Sequence, residues 1–243
     1  QTILPEPSLI EQSFSHFLIF KPRDIVSGDF YWFSHDANDP YIFAAAIDCT
    51  GHGVPGAFMS LIGYKLMSEI INVRLIRDPA QILFEIELGI IKALQQKNKE
   101  VADGMDMCIC RLEKLNLNET KVVFAGAKRP LIYFNSADAN MITITGDRYG
   151  IGGCKRNPEQ ISFTNHEILL QNGKDTIYLT TDGLIDQNDI GRKRYGTARL
   201  TEVLKQIAHL PMDDQKAALE TELKKYMGRE EQRDDITVLA LRM

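Results

Sequence analysis

The apolar run YIFAAAID, residues 41–48, ends in an aspartate and passes directly into the bend CTGHGVPG and then into a helical pattern. A continuous apolar run of that length fits a strand buried on both faces, so Asp48 stands at the end of an interior strand. The same arrangement recurs elsewhere. Asp29 follows VSG, Asp182 ends IYLTTDG, and Asp234 with Asp235 introduces ITVLAL. Burying one carboxylate is costly unless hydrogen bonds or a cation compensate it. Several that converge point to a hard divalent metal with oxygen ligands. Each acid taken alone is also explained as a turn former or strand-end cap.

The surrounding pattern limits the architecture. FSHFLIFKPRDIVSGDFYWF (14–33) alternates apolar and polar residues around a Pro- and Gly-containing turn, which predicts a hairpin. From Val54 to about Val73 the period changes: Phe58, Ile62, Leu66 and Ile70 predict one face of a helix. Asp78 and Pro79 predict the cap and first turn of a second helix carrying Leu83, Ile86, Ile90 and Leu94. Strand-like runs follow: MDMCICRLEKL, TKVVFAGA, RPLIYFN, NMITIT, ISFTNHEILL and DTIYLTTDG. Helices are expected over 197–209 and 213–227, then a last strand, DITVLALRM. Strands, a helix pair, many strands, a helix pair and a strand make an α+β chain without βαβ alternation. The expected fold is a four-layer αββα sandwich, two mostly antiparallel sheets flanked by helix pairs. Residues 1–13 read as a linker cut from a longer chain, and 14–243 as one domain.

Composition excludes other classes. With 243 residues, 44% hydrophobic and 25% charged, the chain can bury a substantial core. The net charge is -5 and no dense Lys/Arg block appears, GRKRYG (191–196) being the most basic spot, so no nucleic-acid partner is expected. Cys49, Cys108, Cys110 and Cys154 form no CxxC pair, which suits a reduced, cytoplasmic compartment. No apolar run approaches the ~18 residues of a membrane span, so no membrane contact is expected.

GHGVPG (51–56) matches G-x-G-x-x-G between a strand and a helix, with Asp78 some distance on, so a nucleotide-binding oxidoreductase is one reading. Against it, Asp48, Cys49 and Thr50 separate the strand from the first glycine. A P-loop fails because Ala57 and Phe58 stand where Lys and Ser/Thr are needed.

VSGDFYWF, DCTGHGVPGAFMS, AGAKRPLIYF, TTDGLIDQND and RDDITVLALRM, in that order from about residue 14 to the end, resemble the SpoIIE-type branch of the PP2C (PPM) metal-dependent protein phosphatases. The resemblance implies a PP2C-like αββα sandwich with two Mn2+ or Mg2+ ions at one end of the sheets. It implies hydrolysis of phosphoserine or phosphothreonine by a water bridging the two ions, without a covalent intermediate. In that scheme Asp48 bridges both ions, with the backbone carbonyl of Cys49 beside it. Asp182 and Asp234 complete the first ion, Asp235 being exchangeable with Asp234, and Asp29 reaches the second directly or through water. Gly28 would let the backbone come close. The implied substrate is a bacterial signalling protein, such as a STAS-type anti-sigma-factor antagonist, with a sensory or receiver module upstream.

Further roles stay open at this level. His52 is the nearest proton donor for the leaving alkoxide, or else a hydrogen-bonding loop residue. The family's phosphate-binding arginine has no clear counterpart, since Asp24 stands at the comparable spacing and Arg23 is adjacent. Asp106 is either a ligand of an additional metal or a strand-edge acid. Lys128 and Arg129 either meet the substrate or are solvated turn residues. A third reading keeps the fold but makes the chain a non-catalytic docking module.

Overall fold

Alternation along the strands decides which side chains face which layer in the computed structural model, which describes residues 4–96, 102–153 and 161–243. In chain order the elements are α1 (Pro7–Glu11), β1 (Ser15–Lys21), β2 (Phe30–His35), β3 (Tyr41–Cys49), α2 (Gly53–Met67), α3 (Pro79–Ala93), β4 (Gly104–Lys114) and β5 (Glu119–Ala127). They continue with β6 (Leu131–Asn135), β7 (Asn140–Ile144), β8 (Ile151–Gly152), β9 (His166–Gln171), β10 (Thr176–Thr180), α4 (Gly183–Asp186), α5 (Thr197–Ile207), α6 (Met212–Met227) and β11 (Ile236–Arg242). A π-helical turn, Ser68–Val73, prolongs α2.

Two sheets result, ordered β1-β11-β10-β6-β7 and β2-β3-β4-β5-β9, with the short β8 added to β4. All strand pairs among the described residues are antiparallel. In β3, Ile42, Ala44 and Ala46 face the other sheet, while Phe43, Ala45 and Ile47 face α2 and α3. In β11, Leu239 and Leu241 point between the sheets, and Val238 and Ala240 point to α5 and α6. This period-2 division gives three apolar layers separating four structural ones. The expected αββα sandwich is the observed fold. With no parallel βαβ unit among the described residues, the glycine turn after β3 lies outside the setting a dinucleotide site requires.

Three local expectations change. The hairpin over 14–33 does not form: β1 pairs with β11 and β2 with β3, so the two strands belong to different sheets. Their connection takes its polar partners from Asp235, whose Oδ1 and Oδ2 accept the backbone N–H groups of Arg23 and Gly28, each at 2.7 Å. A side chain distant in sequence has replaced the local turn.

The most deeply buried face of α2 is not the expected Phe58–Ile62–Leu66–Ile70 stripe, of which Ile70 is buried in the π-helical turn and Ile62 and Leu66 are half-buried against the core. Gly56, Met59, Ser60, Gly63 and Met67 face inward, and Phe58 is 63% exposed. Small residues let the helix seat closely: a β-carbon at Gly63 would stand 3.0 Å from both the Phe30 ring and the Met105 methyl. Periodicity weighted by hydrophobicity misses a face built from glycine. By contrast α3 opens as expected, the Asp78 side chain accepting from the Gln81 N–H at 2.8 Å, with Leu83, Ile86 and Ile90 buried.

Residues 7–11, inside the segment read as a linker, form α1. Ile10 is fully buried between the sheets, Leu4 and Leu9 pack beside it, and the Tyr31 hydroxyl donates to the Pro5 carbonyl. Cys49, Cys108 and Cys110 are buried free thiols, and Cys154 lies outside the described residues. The basic turn at 191–196 is organised internally, with Asp189 accepting from the Gly191 and Lys193 N–H groups.

Because Ile10 of α1 is part of the core, Ile10→Ala should lower the unfolding free energy by about 2–5 kcal/mol, the range for emptying a buried aliphatic site. Urea denaturation followed by Trp32 fluorescence measures it, and an unchanged midpoint would show that the segment does not pack.

Candidate active site

Strand register brings the sequence-distant acids to one edge of the sandwich. Phe30 pairs with Ile47, which carries Asp29 and Asp48 to the same end of β2 and β3. On the other side Asp48 lies directly opposite Asp106 of β4. In the facing sheet, Thr180 pairs with Val238, so Asp182 just after β10 and Asp235 just before β11 reach the same end.

Asp29 joins the two sheets. It is buried, and its Oδ2 accepts the hydroxyls of Thr181 at 2.6 Å and Thr237 at 2.9 Å. Asp235 is also buried and commits both oxygens to the 23–28 connection. Its neighbour Asp234 is exposed and uses Oδ1 to accept the Asp235 N–H. Of the two exchangeable acids, Asp234 is therefore the one with a carboxylate oxygen to offer.

The glycines bring backbone against backbone. A β-carbon at Gly28 would stand 2.5 Å from the Gly51 carbonyl oxygen and 3.3 Å from that of Cys49, and one at Gly56 would collide with Gly51. Gly51 itself has φ +85°, a left-handed conformation that favours glycine. The bend thus packs its carbonyls against Gly28.

Electrostatics follow from this crowding. Burial, then Asp29 and Asp182, push the Asp48 carboxyl up to about 9, with Arg129 opposing; Asp48 and Asp182 are close enough to share a hydrogen bond. Burial likewise raises Asp29 well above its ordinary range against the pull of the two threonine hydroxyls. Asp234 is raised by burial and by the charges of Asp182 and Asp235, against the hydrogen bond from the Asp235 N–H and, less strongly, His52. The Cys49 thiol is buried and raised by burial and by Asp29 and Asp48, so it stays protonated, and only its carbonyl suits a cation.

Arg129 is not a solvated turn residue. Its side chain is 14% exposed, with Nη1 3.2 Å from Asp182 and Nη2 3.5 Å from Asp106. Burial works against its charge, but Asp182, Asp48 and Asp106 outweigh that and raise its pKa. Lys128 remains half exposed and meets Asp106 at 3.0 Å. Arg129 ends an apolar strand run just as the acids do, and that shared placement was the available sequence signal. Sequence reasoning also missed the pairing of His52 Nδ1 with Asp24 Oδ2 at 2.8 Å. Arg23 contributes its backbone to the Asp235 clamp, and its residue is exposed.

Asp48, Asp182, Asp29 and Asp234 are thus electrostatic neighbours, with Asp106 attached through β4 and Arg129. Among the described residues, no three His, Cys, Asp or Glu side chains form a ready-made metal cage. The donor chemistry nevertheless fits the implied ions: carboxylate and carbonyl oxygens suit Mg or Mn, and the raised carboxyls are charges for which the protein supplies incomplete compensation.

A carboxyl raised from about 4 in the unfolded chain to about 9 in the fold holds its proton longer when folded. Its contribution to stability is therefore full at low pH and is lost as pH rises across that window. In chelator, Asp48→Asn should raise Tm at pH 8 by a few degrees, roughly the effect of 1 kcal/mol, and flatten the decline between pH 5 and 9. Thermal scans at several pH values check this, and a Tm lowered equally at all pH values would refute it.

Residues 38–243 match the sequence profile of the family described as Stage II sporulation protein E (SpoIIE). The SiaA-PP2C domain of Pseudomonas aeruginosa is 32% identical, with a TM-score of 0.86 over 100% of this chain and 92% of that one. The PP2C phosphatase domain with a regulatory-domain fragment of SpoIIE from Bacillus subtilis is 18% identical, with a TM-score of 0.70 over 94% of this chain and 62% of that one. RsbX, solved in complex with magnesium, is 14% identical, with a TM-score of 0.58 over 93% and 92% of the two chains. No curated protein matches the sequence significantly. With its profile match, its full-length likeness to a PP2C domain and its acids gathered at one edge of an αββα sandwich, the chain belongs to the SpoIIE-type branch of the PP2C serine/threonine phosphatases.

Proposed function

We propose that this chain is a Mn- or Mg-dependent phosphatase acting on phosphoserine or phosphothreonine of a bacterial signalling protein in the cytoplasm, with a STAS-type anti-sigma-factor antagonist as the substrate class. The observation that carries the reading is the gathering of Asp48, Asp182, Asp29 and Asp234 at one edge, with charge left for a cation to neutralise. No helix among the described residues is long and apolar enough to cross a membrane.

Asp48, the Cys49 carbonyl, Asp182 and Asp234 would hold one ion, with Asp48 shared and Asp29 serving the second directly or through water. When bound, two divalent cations neutralise phosphoryl oxygens and acidify a water held between them. The chain's own residues do the rest. Gly28, Gly51 and Gly56 fix the Cys49 carbonyl at the edge. Thr181 and Thr237 orient Asp29, and Arg129 aligns Asp182 and Asp106 and lends positive charge near an incoming phosphate. His52, immediately before α2, is the proton donor to the departing serine or threonine oxygen. A sensory or receiver module upstream would supply regulation.

Phosphate release from a phosphoserine protein should depend on added Mn2+ or Mg2+ and stop with EDTA. Asp182→Asn should lower kcat roughly 100- to 1,000-fold, as for loss of one preorganised electrostatic element. Cation-independent turnover, or an Asp182→Asn enzyme as fast as the wild type, would reject the reading.

A further inference from the structure

Helix α2 begins at Gly53, and His52, the residue before it, offers no side-chain cap to the helix. Its imidazole turns instead to the 22–29 connection, where Nδ1 lies 2.8 Å from Asp24 Oδ2. The two groups are 28 residues apart in sequence and each is about half exposed, at 49% and 45%. Exposed ion pairs hold their geometry poorly by themselves, yet both backbones here are pinned. On the Asp24 side, Asp235 accepts the N–H groups of Arg23 and Gly28, which brackets Asp24 between two fixed points. The connection is further held to α2 by the Ser60 hydroxyl, which donates to the Ser27 carbonyl at 3.3 Å. On the His52 side, Gly51 and Gly56 pack against Gly28. A β-carbon at Gly53 would lie 3.4 Å from Asp24 Oδ2, so the carboxylate sits closely over the turn.

We propose that Asp24 is a positioning residue for His52: by accepting a hydrogen bond from Nδ1–H it fixes the ring's orientation and tautomer, leaving Nε2 to serve the leaving group. The inference rests on the phosphatase reading above and deepens it. Two charged groups bear on the imidazole, Asp24 in contact and Asp234 within electrostatic range. Of the two only Asp24 touches the ring, so it alone dictates which nitrogen faces away. A carboxylate that orients a working imidazole through its other nitrogen is a recurrent arrangement.

In the step concerned, the water oxygen forms its bond to phosphorus and releases a proton to solvent. The bond from phosphorus to the serine oxygen breaks with its electron pair passing to that oxygen, which takes the proton from His52 Nε2. The neutral ring is reprotonated at Nε2 from solvent, Nδ1 keeping its own proton and its hydrogen bond to Asp24 throughout. No oxidant or further reactant enters. Asp24 also stands at the spacing that the resemblance gives to a phosphate-binding arginine.

The test compares leaving groups. A serine alkoxide needs a proton and p-nitrophenolate scarcely does, so wild type, Asp24→Asn, Asp24→Glu, His52→Asn and the Asp24→Asn/His52→Asn double variant are assayed on a phosphoserine protein and on p-nitrophenyl phosphate with saturating Mn2+. Asp24→Asn is expected to lose roughly 10- to 100-fold in kcat on phosphoserine, the usual effect of removing an orienting partner, and much less on the aryl ester. Asp24→Glu should recover part of the loss, and the double variant should be no slower than His52→Asn. The ratio of the two rates within one preparation does not depend on the fraction folded.

A second readout needs no turnover. Long-range 1H–15N spectra of histidine-labelled protein with Mg2+ should show Nδ1 protonated at His52 in the wild type and the preference lost in Asp24→Asn. Equal losses on both substrates, additive losses in the double variant, or an unchanged tautomer would overturn the proposal. A wild type that hydrolyses neither substrate with Mn2+ would instead overturn the phosphatase reading and this inference with it.

Discussion

The site depends on a seam of buried carboxylates that ties one sheet to the other. Asp29 begins a strand of one sheet and accepts hydroxyls from Thr181 and Thr237, which belong to the edge of the opposite sheet. Asp235 begins a strand of that opposite sheet and returns the link, accepting backbone N–H groups from the connection that leads into Asp29. Buried hydrogen bonds contribute about 0.5–1.5 kcal/mol each, more where one partner is charged, and are costly to leave half made. Four such bonds, two in each direction, set how far apart the sheets stand at this end. Everything else at the edge inherits that spacing.

The same concentration of acid works against stability. Asp48 faces Asp106 across a strand pair and Asp182 across the gap between sheets, an arrangement of like charges that sheets ordinarily avoid. The chain relieves part of this with Arg129, whose guanidinium spans Asp106 and Asp182, and part with threonine hydroxyls at Asp29. The remainder appears as carboxyls held above their ordinary range. Functional sites commonly carry such locally unfavourable electrostatics, held by surroundings that are over-determined. Here the surroundings are strands buried on both faces.

The layered fold was legible because period-2 and helical patterns persist along long segments, as in YIFAAAID and in α3 behind its Asp78 cap. The acids were legible for a related reason: each ends an apolar strand, a position where charge needs an explanation. What the sequence concealed depends on contacts between distant segments. The 14–33 stretch has every local mark of a hairpin, and only the distant Asp235 carboxylate draws its connection across to a second sheet. Arg129 looked solvated because AGAKRP reads as a turn, whereas its exposure is decided by acids on β4 and after β10. The partnership of His52 with Asp24 joins two loops and leaves no periodic trace.

Helix α2 shows how a weak sequence signal can carry positional information. Its inward face is Gly56, Met59, Ser60, Gly63 and Met67, a surface that provides little hydrophobic area but permits a short helix-to-sheet distance. Replacing glycine there by any larger residue would push against Gly51 at one end and against Phe30 and Met105 at the other, lifting the helix from the sheet. Because the turn bearing the Cys49 carbonyl and His52 is continuous with the first residues of α2, lifting the helix would displace both. The depth at which α2 rests on the sheet therefore sets the position of a ligand carbonyl and of a proton donor together. That coupling explains why small residues occupy a face where a purely hydrophobic pattern would place leucine.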